Sequence, residues 1–213
     1  MQNTKPILFS TPMVQAIMED RKTQTRRIVK SKHESGMFRC GRDKAGNITE
    51  ITSLDWDHRP KNDSCNDIKP ICNVGDILWV RETFHIAEEN EFGIKYIYKA
   101  DVLPNLLQFH EFKPSIFMPK DAARIFLEVT NIRVERLQDI SEDDARDEGA
   151  RKGIFRMGPN TERKEFQLEH NNHGSYIDGF KFIWCNINGL ELWEENPFVW
   201  VYEFKRIEKP KYF

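Results

Sequence analysis

The apolar residues of this chain come in short runs, and the longest unbroken run covers only Phe198 to Tyr202. A helix that crosses a bilayer needs roughly 20 consecutive apolar residues. The N-terminus also lacks the apolar stretch of a secretory signal. We therefore expect a cytoplasmic protein that does not contact a membrane.

Length and composition predict a globular protein. The chain has 213 residues, of which 39% are hydrophobic and 31% are charged; this composition excludes collagen, a coiled coil and wholesale disorder. At roughly 150 residues per domain, the length predicts a single domain over 1–213 with insertions. The formal net charge of −2 would not attract a polyanion, so any affinity for nucleic acid must come from local charge.

Cysteine and histidine usage predicts neither a disulfide framework nor a metal site. The chain has four scattered cysteines with no C-x-x-C spacing, which are Cys40, Cys65, Cys72 and Cys185. We expect these to be reduced thiols. His170 and His173 lie three residues apart without a matching carboxylate, which is a weak metal signal. We expect no metal and no cofactor.

Apolar residues that recur at period two predict the strands. The predicted strands are 5–9, 76–84, 93–100, 124–137 and 198–207. We expect 76–84 and 93–100 to form a hairpin-like pair. A register change inside 124–137 predicts a bulge in that long strand.

Capping residues and a three-four apolar spacing predict three helices. Thr11 as N-cap, with proline next to it, predicts a helix over 12–20. Ser141 followed by an acidic first turn predicts a short helix over 142–148. The spacing of apolar residues over 175–187 predicts an amphipathic helix.

Two hydrophilic stretches, from 31 to about 74 and from 149 to about 173, are rich in Gly, Asn, Asp, Lys and Pro. We expect them to be insertions that form no core alone. Together, these elements predict an α+β fold. Its sheet is small and mostly antiparallel, closes into a barrel and is accompanied by about three helices.

A basic block runs from Arg21 to Arg27 (RKTQTRR). With Lys30 and Lys32, it places six positive charges in twelve residues without an acid among them. Such a block is usually a solvated face. A threonine beside lysine or arginine, however, can bond a phosphate oxygen or act as an activated nucleophile. The acidic complement, residues 139–148, is equally consistent with an ordinary helix start favoured by the macrodipole.

Aromatic residues on or near the predicted strands form the third candidate group. They are Trp79, Tyr96, Tyr98, Trp193 and Trp200. Such rings can stack on a base, which is worth about 1–3 kcal/mol per base, or they can simply belong to the core. Glu82, at the end of a predicted strand, is either a second carboxylate at a cleft mouth or the partner of a neighbouring arginine.

In motif order the chain resembles the ASCH family, the RNA-associated relatives of the PUA barrel, and in particular its larger bacteriophage and prophage members. The resemblance covers about half of the chain. It rests on KPILFS, RKTQTRR, VGDILWVRE, IFLEVTNIRVERLQDISEDDARDEG and NPFVWVYEFKRI. Its most specific parts are the K-T-x-T-x-R block, Lys22 to Arg27, and the G-D-x-L strand that opens at Gly75. Where the family usually has glycine before the basic pair, this chain has Asp20.

The resemblance implies a six-stranded, barrel-like α+β fold with a cleft lined by the basic block. Small bacterial members of the family are amidohydrolases that remove the acyl group of N4-acetylcytidine with a lysine, a threonine and a glutamate. These match Lys22, Thr25 and Glu148. The resemblance therefore implies that Lys22 activates Thr25 as nucleophile and that a protonated Glu148 donates to the departing amine.

One geometric condition follows from this assignment. Side chains alternate along a strand, so Lys22 and Thr25 would point to opposite faces of a continuous one. Lys22 must therefore lie on the turn after the first helix, with only Thr23 onward extended.

Other relatives bind RNA or modified bases without turnover or are reported as ribonucleases, so membership alone selects no activity. The expected partner is a modified nucleoside or RNA, and the sequence indicates no oligomeric state. The residues predicted to bind the substrate or nucleic acid are Arg21, Arg26, Arg27, Trp79, Glu82 and Tyr98. Among them, Arg27 is as well suited to brace Glu148 as to touch the substrate.

Overall fold

The computed structural model describes residues 3–31, 37–44, 48–54, 57–58, 68–87, 96–157, 166–171 and 173–213. The chain forms two compact units, each built from separate stretches of sequence. Unit 1 comprises Met1–Thr23, Val74–Thr130 and Phe204–Phe213, and unit 2 comprises Gln24–Asn73 and Asn131–Glu203. In the described part of the chain, no helix is long and apolar enough to span a membrane.

Over the described ranges, the regular elements are strands, four α-helices and short 3₁₀ turns. The strands are β1 (Thr4–Leu8), β2 (Gln24–Ile28), β3 (Met37–Arg42), β4 (Ile48–Leu54), β5 (Ile77–Arg81), β6 (Phe84–Ile86), β7 (Tyr96–Tyr98), β8 (Phe126–Arg136), β9 (Ile154–Met157), β10 (Phe166–Glu169) and β11 (Phe198–Ile207). The helices are α1 (Thr11–Met18), α2 (Glu142–Asp147), α3 (Tyr176–Asn188) and α4 (Leu190–Glu194).

Unit 1 is built on a parallel strand pair. β1 runs parallel to β5, with Ile7 opposite Val80. β5 in turn lies antiparallel to the first residues of β8, with Leu78 opposite Leu127. The core beside these strands includes the buried side chain of Trp79.

Helix α1 is followed by a residue in a left-handed backbone conformation. Asp20 has a φ of 55°, in the left-handed region that glycine enters without strain and that aspartate tolerates better than most residues. At its other end the N-cap is Ser10, and Thr11 is already helical. The prediction of Thr11 as N-cap was therefore wrong by one residue, because Pro12 is accommodated in the second helical position as well as in the first.

Unit 2 is mostly antiparallel. β2 pairs with β11, β3 pairs with β4, and β4 meets the second half of β8 where Ile48 lies opposite Val134. The largest core of the unit lies where α3 packs on the first half of β11. Trp184 is buried there with Val199 and Val201.

The predicted α+β class and the mostly antiparallel sheet are confirmed, since β1 with β5 is the one parallel pairing among the described strands whose register is known. The described strands of neither unit close into a barrel. The predicted helices over 142–148 and 175–187 correspond to α2 and α3, and the last predicted strand is β11.

The predicted strand 76–84 is instead two strands, β5 and β6. Glu82 separates them, because its backbone N–H donates to the sulfur of Met118 at 3.1 Å and not to a strand carbonyl. The hairpin partner of β7 is therefore β6 and not β5. Residues 93–95 of the other predicted strand lie outside the described part of the chain.

The two hydrophilic stretches contain regular structure that composition did not reveal. β3 and β4 lie in the first stretch, where Ile51 and Ile68 are buried against Val134 and Phe198, outside it. The second stretch holds the antiparallel pair β9 and β10. Among the described residues of this stretch, Ile51 and Ile68 thus share a core with strands outside it.

Candidate functional site

Strand β2 carries three of the predicted site residues, Thr25, Arg26 and Arg27, and all three lie in unit 2. On the neighbouring β11, Tyr202 is opposite Thr25 and Trp200 is opposite Arg27. Because side chains alternate along a strand, Thr25 and Arg27 project from one face of β2 and Arg26 projects from the other.

The Thr25 hydroxyl is in an unusual state. Thr25 is 1% exposed, and its Oγ1 has no hydrogen-bond partner among the described residues. In that part of the chain, the only other buried side-chain N or O atom without one is the indole nitrogen of Trp184. A buried polar group left unsatisfied costs about 1–3 kcal/mol. Folded proteins keep few such groups, and a catalytic role is one recognised reason for them.

Arg26, on the opposite face of β2, is a buried cation surrounded by carboxylates. Its Nη1 donates to Oε1 of Glu148 at 3.1 Å, and its Nε donates to Oε1 of Glu135 at 3.1 Å. Nη2 lies 3.4 Å from Oδ2 of Asp144. The guanidinium also lies 5.6 Å from the ring centroid of Phe180. Such pairing offsets the large cost of burying a charge.

A second arginine extends this network toward the surface. Arg133 donates from Nε to Glu135 at 3.0 Å and from Nη2 to Asp144 at 2.9 Å, and it also bonds Glu203. Gln24 adds a hydrogen bond of 3.0 Å to Asp144. Desolvation alone would raise the pKa of Asp144, but the hydrogen bond from Gln24 and the two guanidinium groups lower it below its usual range.

Glu148 is placed by helix α2, whose boundaries follow from local sequence. Ser141 caps the helix by accepting from the N–H of Asp144 at 3.1 Å, and Gly149 follows with a φ of 86°. Glu148 occupies the C-cap between them and is 4% exposed. The carboxylate is thereby buried and oriented by Arg26.

Arg27 and Tyr202 are electrostatically coupled on the Thr25 face of the strand pair. Burial lowers the pKa of the Arg27 guanidinium, and the charges of Glu148 and Tyr202 oppose that effect. Burial raises the pKa of Tyr202 to about 12. Its hydroxyl accepts a hydrogen bond from the N–H of Ile71 at 2.9 Å.

Lys22 lies in unit 1, on the turn between α1 and β2. Its backbone N–H donates to the carbonyl of Ala16 at 3.1 Å. Its side chain is buried, with Nζ 5.6 Å from the ring centroid of Phe9. The expected position of Lys22 on the turn after the first helix is thus confirmed. Its role as the base for Thr25 stays a prediction of the motif.

The basic block is not a solvated face. Lys22 and Arg26 are buried, and Arg21, which is half-buried, bonds Glu19 through Nη2 at 2.6 Å. Lys30 is exposed, whereas Lys32 lies outside the described residues. Among the described residues of the block, Arg26 is compensated by buried and partly buried carboxylates and Arg21 by Glu19.

Glu82 belongs to a separate cluster in unit 1. It is 1% exposed, and Arg124 bonds both of its oxygens, at 2.8 and 2.9 Å. The same guanidinium bonds Asp101 and lies 3.8 Å from the ring centroid of Tyr98. Of the two interpretations of Glu82, the ion pair with an arginine is the one observed.

Burial raises the pKa of Glu82, and Arg124 opposes this effect. Burial also raises the pKa of Tyr98 to about 12.

The remaining aromatic and histidine candidates fall into ordinary structural positions. Trp79 and Trp193 are core residues, and the Tyr96 hydroxyl donates to Asp121 at 2.7 Å. His170 faces the carbonyl of Lys152 through Nδ1 at 3.4 Å. In the described part of the chain, no cluster of three or more His, Cys, Asp or Glu side chains could hold a metal.

Sequence reasoning missed Glu135 and Asp144, which pair with Arg26 in unit 2, and Arg124 and Asp101, which form the cluster with Glu82 in unit 1. A weak signal existed for the first pair. Arg133 and Glu135 alternate with apolar residues on a predicted strand, and Asp144 belongs to the acidic run. No local pattern shows which arginine each one meets.

Comparison with protein families, with curated proteins and with solved structures finds no match to this chain. The geometry described above therefore carries the functional argument.

Proposed function

We propose that the chain is an amidohydrolase with an ASCH-type, PUA-like fold that removes an acyl group from an acylated or otherwise modified cytosine nucleoside. The observation that carries the proposal is the buried Thr25 Oγ1, which has no hydrogen-bond partner among the described residues. A catalytic role is one recognised reason for a hydroxyl kept in this state at a cost in stability.

In the proposed reaction, Oγ1 of Thr25 attacks the acyl carbon, and its proton passes to the amine of Lys22, the base that the motif supplies. The carbon–nitrogen bond of the tetrahedral intermediate then breaks, and the departing amine takes a proton from Glu148. Water next attacks the ester on Thr25 while Glu148 accepts its proton. Lys22 returns a proton to Oγ1, the carboxylic acid leaves, and all three residues regain their starting state.

In this proposal, Arg26 is a positioning residue for Glu148. It bonds Oε1 of Glu148 at 3.1 Å, and Glu135 and Asp144 hold it in turn. A proton donor must keep its orientation through the reaction, and such outer contacts supply it. The burial of Glu148 excludes water from the proton that it transfers.

The same contacts argue against the non-catalytic RNA-binding alternative. Phosphate binding needs cations that can exchange counterions for phosphate oxygens at the surface. Arg26 is buried among three carboxylates, Lys22 is buried, and Arg21 pairs with Glu19. These residues of the block therefore serve to stabilise the protein interior more than to bind a polyanion.

The decisive experiment follows deacylation of N4-acetylcytidine by the purified full chain with chromatography of the released cytidine. Thr25→Val removes the hydroxyl at nearly constant shape and is expected to lower kcat/KM on the order of 10³-fold or more. Thr25→Ser keeps a nucleophile and should retain measurable turnover. Thr23→Val is the matched control, since Thr23 belongs to the same block but is exposed.

Glu148→Gln should also lower kcat/KM, because an amide cannot donate the proton that the departing amine needs. Turnover by the Thr25→Val variant at the rate of the original chain would contradict the proposal. If no variant and no original chain turns over, polynucleotide binding with a steep salt dependence would favour the RNA-binding alternative.

A further inference from the structure

Unit 2 contains a cavity of about 640 Å³ that shares no residue with the proposed catalytic set. This volume falls within the roughly 300–1,000 Å³ of typical small-molecule sites. Its walls are largely apolar, and they come from the ends of β2 and β4, from β3, from α4 and from the start of β11. The apolar side chains that line the cavity include Phe38, Leu192 and Phe198.

An aromatic pair and a stacked arginine form one side of this cavity. The rings of Phe38 and Phe198 meet edge to face, with centroids 5.8 Å apart. The guanidinium of Arg136 lies 3.7 Å from the centroid of Phe198, and its Nη1 donates to the carbonyl of Asn196 at 3.1 Å. These two contacts hold the guanidinium plane in one orientation, and a planar guanidinium can stack and donate in pairs.

Arg136 differs in its charge pairing from several other arginines of unit 2. Four other arginines of unit 2, Arg26, Arg133, Arg146 and Arg156, each bond a carboxylate. Over the described ranges, neither Arg136 nor Lys30, which also lines the cavity, has a carboxylate within ion-pair distance. Two cations without a carboxylate partner among the described residues lie beside one acidic side chain, Glu195, and make the cavity mouth attractive to an anion.

We propose that this cavity binds a nucleoside monophosphate, with the base against Phe38, Leu192 and the Arg136–Phe198 stack and the phosphate on Arg136 and Lys30. A phosphate accepts paired hydrogen bonds from one guanidinium, and a flat base fills an apolar slot. Glu195 can accept from an exocyclic amine, which adenine, cytosine and guanine carry and uracil and thymine lack. A free nucleotide and the 5′-phosphorylated end of a nucleic-acid strand share this chemistry.

The test is titration calorimetry of the full chain with AMP, adenosine, inorganic phosphate and a 5′-phosphorylated tetra-adenylate. Adenine ligands keep the test separate from the proposed deacylation of cytosine, so either proposal can fail alone. AMP should bind at least about tenfold more tightly than adenosine or phosphate, and Arg136→Gln should weaken AMP binding by about tenfold or more. Arg156→Gln, an exposed arginine of the same unit, is the control and should leave binding unchanged.

Two further variants separate ligand binding from folding. Lys30→Gln alters an exposed side chain. It should weaken the binding of AMP but not the binding of adenosine. Arg136→Lys keeps the charge and loses the flat stack, so it should recover only part of the affinity. Tighter binding of the tetra-adenylate than of AMP would identify a strand end as the ligand, and the reverse would identify a free nucleotide. Unchanged AMP affinity in Arg136→Gln and Lys30→Gln, or no binding of AMP and tetra-adenylate, overturns the proposal.

Discussion

Nη1 of Arg26 lies 3.1 Å from Oε1 of Glu148, and the two buried residues are 122 positions apart in the chain. The contact ties strand β2 to the end of helix α2 within unit 2. Glu135 and Asp144 surround the same guanidinium. Arg26 thus faces three acids, of which Glu135 and Asp144 also pair with Arg133, so both the stability of unit 2 and the orientation of Glu148 depend on it.

Arg26→Gln should lower the free energy of unfolding by about 3–5 kcal/mol, because it leaves buried carboxylates without their cation. Urea denaturation followed by tryptophan fluorescence measures this loss. Arg156→Gln is the control, since Arg156 and its partner Glu169 are both exposed, and such surface pairs contribute little. Equal free energies of unfolding for the two variants would mean that the buried network does not stabilise unit 2.

Thr25→Val should raise the free energy of unfolding by about 1–2 kcal/mol while it abolishes the proposed activity. The substitution replaces an unsatisfied buried hydroxyl with a methyl group of similar size, which removes a desolvation cost. Thermal and urea unfolding compare it with Thr23→Val, whose exposed site should show little change. A destabilised Thr25→Val variant would indicate that the hydroxyl is satisfied in solution.

Asp144 should contribute to the loss of folding stability at acidic pH. Its pKa in the folded state is lowered, because Gln24, Arg133 and Arg26 outweigh desolvation. The unfolded value is about 3.9. A group with a depressed folded pKa contributes stability that is present above the unfolded value and is lost as the pH falls below it, toward the folded pKa. Asp144→Asn should therefore show a smaller loss of stability between about pH 5 and pH 2 than the original chain.

The matched control for this pH series is Asp143→Asn, because Asp143 lies in the same helical turn and its side chain is 82% exposed. Urea unfolding at each pH gives both curves. Parallel curves for Asp144→Asn and the original chain would contradict the assignment of this acid-dependent stability to Asp144.

Arg124→Lys should destabilise unit 1 by about 1–3 kcal/mol. A lysine ammonium cannot bond both oxygens of Glu82 while it stacks on Tyr98, so the buried carboxylate loses part of its compensation. Differential scanning calorimetry measures the change. Arg206→Lys, whose side chain is 44% exposed beside Asp20, should be close to neutral, and a similar loss in both variants would refute the special role of Arg124.

Elements marked by local chemistry could be predicted from the sequence. Ser141 and Gly149 bound α2, and their capping roles depend only on residues within one turn. The strand 198–207 was found because its own alternation is strong. In contrast, the single strand predicted over 76–84 failed at Glu82, whose partner Arg124 lies 42 positions away.

The candidate site shows the same difference between features set by neighbouring residues and features set by long-range contacts. The sequence by itself determined that Lys22, Thr25 and the acidic run are present, because these are properties of neighbouring residues; the turn position of Lys22 was a condition of the assigned roles. Only the tertiary structure decided that Arg26 is buried among three carboxylates and that Thr25 Oγ1 lacks a partner among the described residues. The reason is physical: hydrogen bonds and ion pairs in a core join residues 100 or more positions apart, and no local pattern encodes which of them meet.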